Sequence, residues 1–135
     1  MVSTEFEFRA WDKLGDDEGN PCMRSWEMLL RDRYAHSMDS IFKDPTLILM
    51  QWTGLFDSTG KKIFQGDIIQ WRGYEVANGK QTRPIRRRVV GHCMDPFRIS
   101  FIDDCFHIQN LLEHMHEIEV IGNIYENPEL MEEFI

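Results

Sequence analysis

Met50-Gln51-Trp52-Thr53-Gly54-Leu55-Phe56-Asp57-Ser58-Thr59-Gly60-Lys61-Lys62-Ile63-Phe64-Gln65-Gly66-Asp67-Ile68-Ile69 is a succession of short apolar runs cut by turn residues. The run that leads into it, Leu47 to Trp52, has the length and apolarity of a buried strand. Asp57 sits where its side chain can bond the backbone ahead of it, and Gly60 can take a positive φ at the end of the turn, so a tight antiparallel connection follows. Gly66-Asp67 is a second turn, and Ile68, Ile69 and Trp71 begin the next strand. Three strands in some twenty-five residues predict a β protein.

The pattern persists on both sides. From Thr4 to Asp12, Phe6, Phe8 and Ala10 alternate with Glu5, Glu7 and Arg9, which signals a half-buried strand. Trp11 falls on the charged side of that strand, where another element or a partner must cover its ring. Lys13 to Pro21 is rich in Gly, Asp and Asn and reads as a loop. The apolar residues Trp26, Leu29, Leu30, Tyr34, Met38, Ile41 and Phe42 then recur at helical spacing. They predict a helical insertion over 25–42, capped by Ser25 and stopped by Pro45, with a helix beginning only near Ser37 as the alternative. Downstream, Asn78-Gly79 is a hairpin dipeptide. It is expected to join a strand ending near Ala77 to one running from Ile85 to His92. Asp95-Pro96 turns the chain, Phe97 to Ile102 alternates as a strand, and Cys105 to Ile108 reads as extended. Asn110 to His116 is expected to form one helical turn, and Glu117 to Tyr125 a last strand. Asn127-Pro128-Glu129 is a helix start, predicting a short C-terminal helix with Leu130, Met131 and Phe134 as its apolar residues.

The fold class expected is therefore mainly β with minor α: a small, barrel-like, curved antiparallel sheet with one helical insertion and a short C-terminal helix. The 135 residues suit a single domain over 1–135, and no internal repeat or long linker divides them. Hydrophobic residues are 42% of the chain, enough for a core that needs no disulfide or metal to stand. Three cysteines, Cys22, Cys93 and Cys105, are an odd number without regular spacing, which argues for free thiols and a reducing compartment. No signal-peptide pattern opens the sequence and no apolar run approaches the roughly 18–20 residues of a membrane span. A soluble protein of the bacterial cytoplasm, without membrane partners, is expected. The net charge of −8 disfavours unspecific attraction to nucleic acid or anionic lipid.

Three blocks, in this order, resemble the YopX family, found mainly in bacteriophages and prophages. They are Phe6-Glu7-Phe8-Arg9-Ala10-Trp11-Asp12; Met50 to Asp57 continuing as Gly60 to Ile69; and Glu119-Val120-Ile121-Gly122-Asn123-Ile124-Tyr125-Glu126-Asn127-Pro128-Glu129-Leu130. No block falls between Tyr74 and Met115. The resemblance implies a β-rich fold of small-barrel type, often self-associating, in a phage-derived protein, and it implies no activity. Trp52 stands where Tyr or Phe is common and Gln65 where Glu is common; the second departure weighs against acid–base work at that position. The residues have their own structural reading. Gly54, Gly60, Gly66 and Gly122 suit turns or close backbone approach, and Thr53, Asp57, Asp67 and Asn123 suit side chains that hold turns by bonding nearby backbone.

Constellations for chemistry are thin. His92-Cys93, Cys105 with His107, and His114 with His116 offer metal-ligating atoms, but their spacing matches no zinc pattern, so no metal is expected. No G-x-S-x-G elbow, phosphate-binding loop or dinucleotide fingerprint occurs. Asp16-Asp17 and Asp103-Asp104 read as solvated turn acids. No enzyme and no cofactor are therefore expected. The sharpest remaining signal is Arg83-Pro84-Ile85-Arg86-Arg87-Arg88. Arg83, Arg86, Arg87 and Arg88, with Trp71, Tyr74 and Phe97 as stacking platforms, suit a nucleic-acid contact. The same arginines equally suit a guarded strand that pairs with the excess of acids, in one chain or across an oligomer. The balance favours a non-enzymatic, homo-oligomeric protein-interaction module of phage or prophage, whose further partner would be a phage or host protein. A nucleic-acid-binding accessory protein is the alternative.

Overall fold

Strand-forming sequence and short turns produce antiparallel pairing throughout the computed structural model, which describes residues 7–31, 38–91, 98–101, 104–107 and 116–134. The chain divides after Trp52 into two units, and strand β3 (Leu47–Phe56) runs through the boundary.

In the first unit β1 (Phe8–Asp12) lies between β2 (Cys22–Arg24) and β3, antiparallel to both, with Ala10 opposite Arg24 on one side and Leu49 on the other. The expected helical insertion is present as α1 (Trp26–Arg31) and α2 (Met38–Lys43). The Ser25 hydroxyl accepts the Met28 amide at 3.2 Å, the geometry of an N-cap. Ser25→Ala should lower stability by about 1 kcal/mol, read as a shift in the denaturant midpoint. Ala10, Leu29, Ile41 and Leu47 form the core of this unit, and Trp26 and Leu49 pack against it. Phe8 stacks between Trp26, tilted at 5.4 Å, and Phe42, edge-on at 5.2 Å. Such ring pairs add about 0.5–1.5 kcal/mol beyond the area they bury.

Nothing in the sequence reading placed β2 as a strand: three residues carry too little periodicity. Its anchor is electrostatic. Asp12, 1% exposed, accepts the Leu14 and Gly15 amides at 3.0 and 3.1 Å and the Arg24 Nε at 3.2 Å, while Arg24 Nη2 reaches the Gly15 carbonyl. A buried carboxylate is tolerable only with such partners.

The second unit holds β4 (Lys62–Phe64), next to β3, and a five-stranded sheet. That sheet runs β10 (Asp104–His107), β9 (Arg98–Phe101), β8 (Ile85–Gly91), β5 (Asp67–Arg72) and β11 (Glu119–Asn123). Every pairing in it is antiparallel. Between Val120 and Gly122 the β11 register slips by one residue; such a bulge bends and twists a strand, and the sheet is curled. Ile63, Ile69, Val90, Ile118 and Val120 form the core, joined by Leu55 and Trp71. Each buried side chain of this kind is worth about 1.5–3 kcal/mol relative to exposure.

The fold class is thus the expected one: mainly β, antiparallel, with few helices. The expected C-terminal helix is a 3₁₀ helix, Pro128–Phe134, opened by the Leu130 amide on the Asn127 carbonyl. The expected hairpin is present with one interruption. Asn78-Gly79 joins β6 (Glu75–Ala77) to β7 (Lys80–Thr82) as a two-stranded ribbon, and the same register carries on, through the Gly73 amide on the Pro84 carbonyl at 2.7 Å, into the pairing of β5 with β8. Pro84 is the physical reason for the interruption. It has no N–H to give the Gly73 carbonyl, which takes the Arg83 Nε instead, so the ladder is broken there while its register is kept. The helical turn expected over 110–116 lies outside the described residues but for His116, as does the strand start at 4–6. Among the described residues no helix is long and apolar enough to cross a membrane.

Candidate functional site

The turn residues of the second unit come first, because their bonding decides whether they are available for chemistry. Asp57, 6% exposed, accepts the Thr59 amide and hydroxyl at 2.8 and 2.7 Å and the Lys61 amide at 2.8 Å through Oδ1. Its Oδ2 accepts the Val120 amide at 2.9 Å. Burial pushes its pKa up, and the Val120 amide, the Thr59 hydroxyl and the Lys61 and Thr59 amides together pull it below the ordinary 3.8. Asp67 accepts the Phe64 amide at 2.7 Å across the tight turn in which Gly66 holds φ 87°. Asn123 lies opposite Asp67 in the β5–β11 ladder. It accepts the Tyr125 and Glu126 amides at 3.0 and 2.9 Å and donates to Glu126 Oε1 at 2.8 Å. Gly122 is a matter of space: a Cβ there would stand 2.5 Å from Asn127 Oδ1, the atom that accepts the Asn123 amide. Thr53 Oγ1 donates to the Ile63 carbonyl at 2.7 Å. Each of these polar groups bends or seals main chain. Asp16 does the same in the first unit, where the Asn20 and Glu18 amides lower its pKa.

The arginines come next. Arg83 Nη2 donates to both carboxylate oxygens of Glu117, at 2.7 and 2.8 Å, and reaches the Arg72 carbonyl at 3.3 Å, while Nε reaches that of Gly73 at 3.4 Å. Arg72 returns a bond to the Arg83 carbonyl at 3.2 Å. Arg86 pairs with Glu75 at 3.0 Å and lies across Gly73, whose missing side chain leaves it that space: a Cβ would fall 2.8 Å from Arg86 Nε. Arg87 donates to Gln70 Oε1 and to the Leu130 carbonyl, both at 2.8 Å, and Arg88 Nη1 donates to the Arg87 carbonyl at 2.9 Å. All four arginines singled out in the sequence thus meet acceptors of their own chain. Arg83 and Arg86 brace the root of the ribbon, and Arg87 ties the C-terminal 3₁₀ helix to the sheet.

The ribbon is the most open element described. Every residue of β6 and β7 is exposed, and Tyr74 and Val76 are each 63% exposed. Asn78 and Gly79 both hold positive φ, 53° and 75°, the type I′ turn that closes a two-residue hairpin. Beside its root a cleft of about 110 Å³ is lined by Gln70, Trp71, Arg72, Ile85, Glu117 and Glu119, well below the roughly 300 Å³ where small-molecule pockets begin.

His92, Cys93 and His114, and the side chains of Cys105 and His107, lie outside the described residues, as does Phe97. Among the described residues no three His, Cys, Asp or Glu side chains gather. His116 is exposed beside Glu117, and Cys22 is a free, half-buried thiol. What the sequence reading missed is the break between the ribbon and the β5–β8 pair, and its signal was there: Pro84, soon after Asn78-Gly79, has no N–H for the ladder.

A family model, "YopX protein", matches residues 7–132. The chain belongs to the YopX family. The match runs through both units and covers the three sequence blocks except Phe6. The crystal structure of protein EF1440 from Enterococcus faecalis is similar to this YopX chain, with 25% identity, 93% of this chain and 97% of that chain covered, and a TM-score of 0.50. No curated protein matches the chain.

Proposed function

We propose that this YopX chain is a non-enzymatic accessory module of a phage or prophage, acting by protein contacts as a homo-oligomer in the host cytoplasm. The observation that carries the reading is the ribbon: two strands exposed on both faces, bearing Tyr74 and Val76 outside either core. A two-stranded hairpin alone is marginal in water, and exposed aromatic and aliphatic side chains on such an element favour an interface. The non-enzymatic part rests on Asp57, Asp67 and Asn123, whose carboxylates and amide serve main-chain donors.

The bonding of Arg83, Arg86, Arg87 and Arg88 within the chain supports this reading over nucleic-acid binding, because a phosphate must displace an acid or carbonyl already in place. Light scattering coupled to gel filtration at micromolar concentration should give a mass above one chain; a monomer overturns the proposal. Fluorescence anisotropy with short single-stranded DNA and RNA at low salt should show no binding. Saturable, salt-sensitive binding lost on charge reversal at Arg86 and Arg87 would put the nucleic-acid reading in its place.

A further inference from the structure

We infer that the outer edge of β6 is where a second copy of this chain adds, strand against strand, about a two-fold axis at Val76. This names the surface for the self-association proposed above and rests on it.

The ladder sets which atoms face outward. In an antiparallel pair, residues that exchange both main-chain bonds alternate with residues that exchange none. Ala77 and Lys80 close the two-residue turn and are a bonded pair, so Glu75 and Thr82 are the next, and Val76 opposite Gln81 is an unbonded one. The N–H and C=O of Val76 therefore point away from β7. Among the described residues no main-chain hydrogen bond crosses that edge.

The edge is also self-complementary. Antiparallel pairing centred on Val76 sets Val76 against Val76 of the second copy, Glu75 against Ala77, and Tyr74 against Asn78. Residues two apart share a face, so Tyr74 and Val76 of both copies form one apolar stripe of four side chains, each 63% exposed in the single chain. No carboxylate faces a carboxylate, and Glu75 is already neutralised by Arg86 at 3.0 Å. Edge strands that must stay solitary carry Pro, lysine or a bulge. β6 has none of these; β7 carries Lys80 and is followed by Arg83-Pro84. Centring the pair on Gln81 instead would align only polar residues, which is why β6 is the edge assigned.

The test uses the whole chain. Val76→Lys sets two ammonium groups opposite each other and should weaken self-association about tenfold or more by light scattering across a dilution series. Gln81→Lys adds the same charge to the ribbon's other edge and should leave the mass of the assembly as in the wild type. A bonded antiparallel pair holds its Cα atoms about 5.5 Å apart, inside disulfide range. Mild oxidation of Val76→Cys should therefore give a dimer whose linkage maps to position 76 in both copies, and Gln81→Cys should give none. A monomeric wild type overturns both this inference and the proposed function. A wild-type oligomer that Val76→Lys leaves intact overturns the edge alone, and loss of mass without the 76–76 linkage overturns the register.

Discussion

Replacing Asp57 by alanine should destabilise the second unit by about 2–4 kcal/mol, because four donors lose one carboxylate and the Val120 amide is left buried without an acceptor. The carboxylate closes the 57–61 turn through Oδ1 and pins β11 through Oδ2. Asp57→Asn keeps an acceptor for the turn but turns an NH₂ group toward the Val120 amide, so it should fall between the two. The acid limb of stability gives an independent readout. The folded carboxyl titrates below the ordinary 3.8, so the unfolded chain takes up the proton first as pH falls. Its contribution is complete above about pH 5 and drains away as pH drops through 3.8 and then through the lower folded value. Denaturant midpoints of the wild type should therefore fall over that window, and those of Asp57→Asn should fall less. Equal acid limbs in the two proteins would remove Asp57 from this role.

The part of Asp57 that lies within four residues was legible beforehand, since Asx turns are local chemistry: Thr59 and Lys61 are where such a side chain reaches. The same holds for Asn123 with Tyr125 and Glu126. The bond of Asp57 to the Val120 amide spans a sequence separation of 63, and no spacing rule anticipates a donor that far away. Asp12 with Arg24 is a similar case: Asp12 reads as the polar end of a strand, and only folding shows that it is buried at 1% exposure. Alternation and turn dipeptides reveal strands but not their partners. Asn78-Gly79 marked a hairpin correctly, and β8 does follow on its second arm in the same register. The proline between them, read for its missing N–H, marks the break in the ladder.

The family blocks and the ribbon divide the chain in a physically sensible way. Asp57, Gly66, Asp67, Gly122 and Asn123 all belong to the quoted blocks, and all serve turns or close approach in the second unit. β6 and β7 fall between the blocks, and every residue of both is exposed. A scaffold sealed by local turn chemistry leaves such an arm free to be shaped by what it touches.

Arg87 supplies the other large effect. Arg87→Ala should cost about 2–3 kcal/mol, the scale of losing charge-assisted bonds from a partly buried guanidinium. Its Nε holds Gln70 and its Nη1 holds the Leu130 carbonyl, 43 residues away, so one planar group spans β5 and the 3₁₀ helix. Lysine presents a single point charge and cannot span both, so Arg87→Lys should recover little. Hydrogen exchange localises the effect: amides of the Pro128–Phe134 helix should lose protection in both variants. Arg86, whose partner Glu75 is more than half exposed, is the contrast, because a pair so open to water contributes about 0–1 kcal/mol. If Arg87→Ala unfolds at the wild-type midpoint and leaves the C-terminal amides protected, the guanidinium is not the tie described here. The basic strand would then need a purpose outside its own chain.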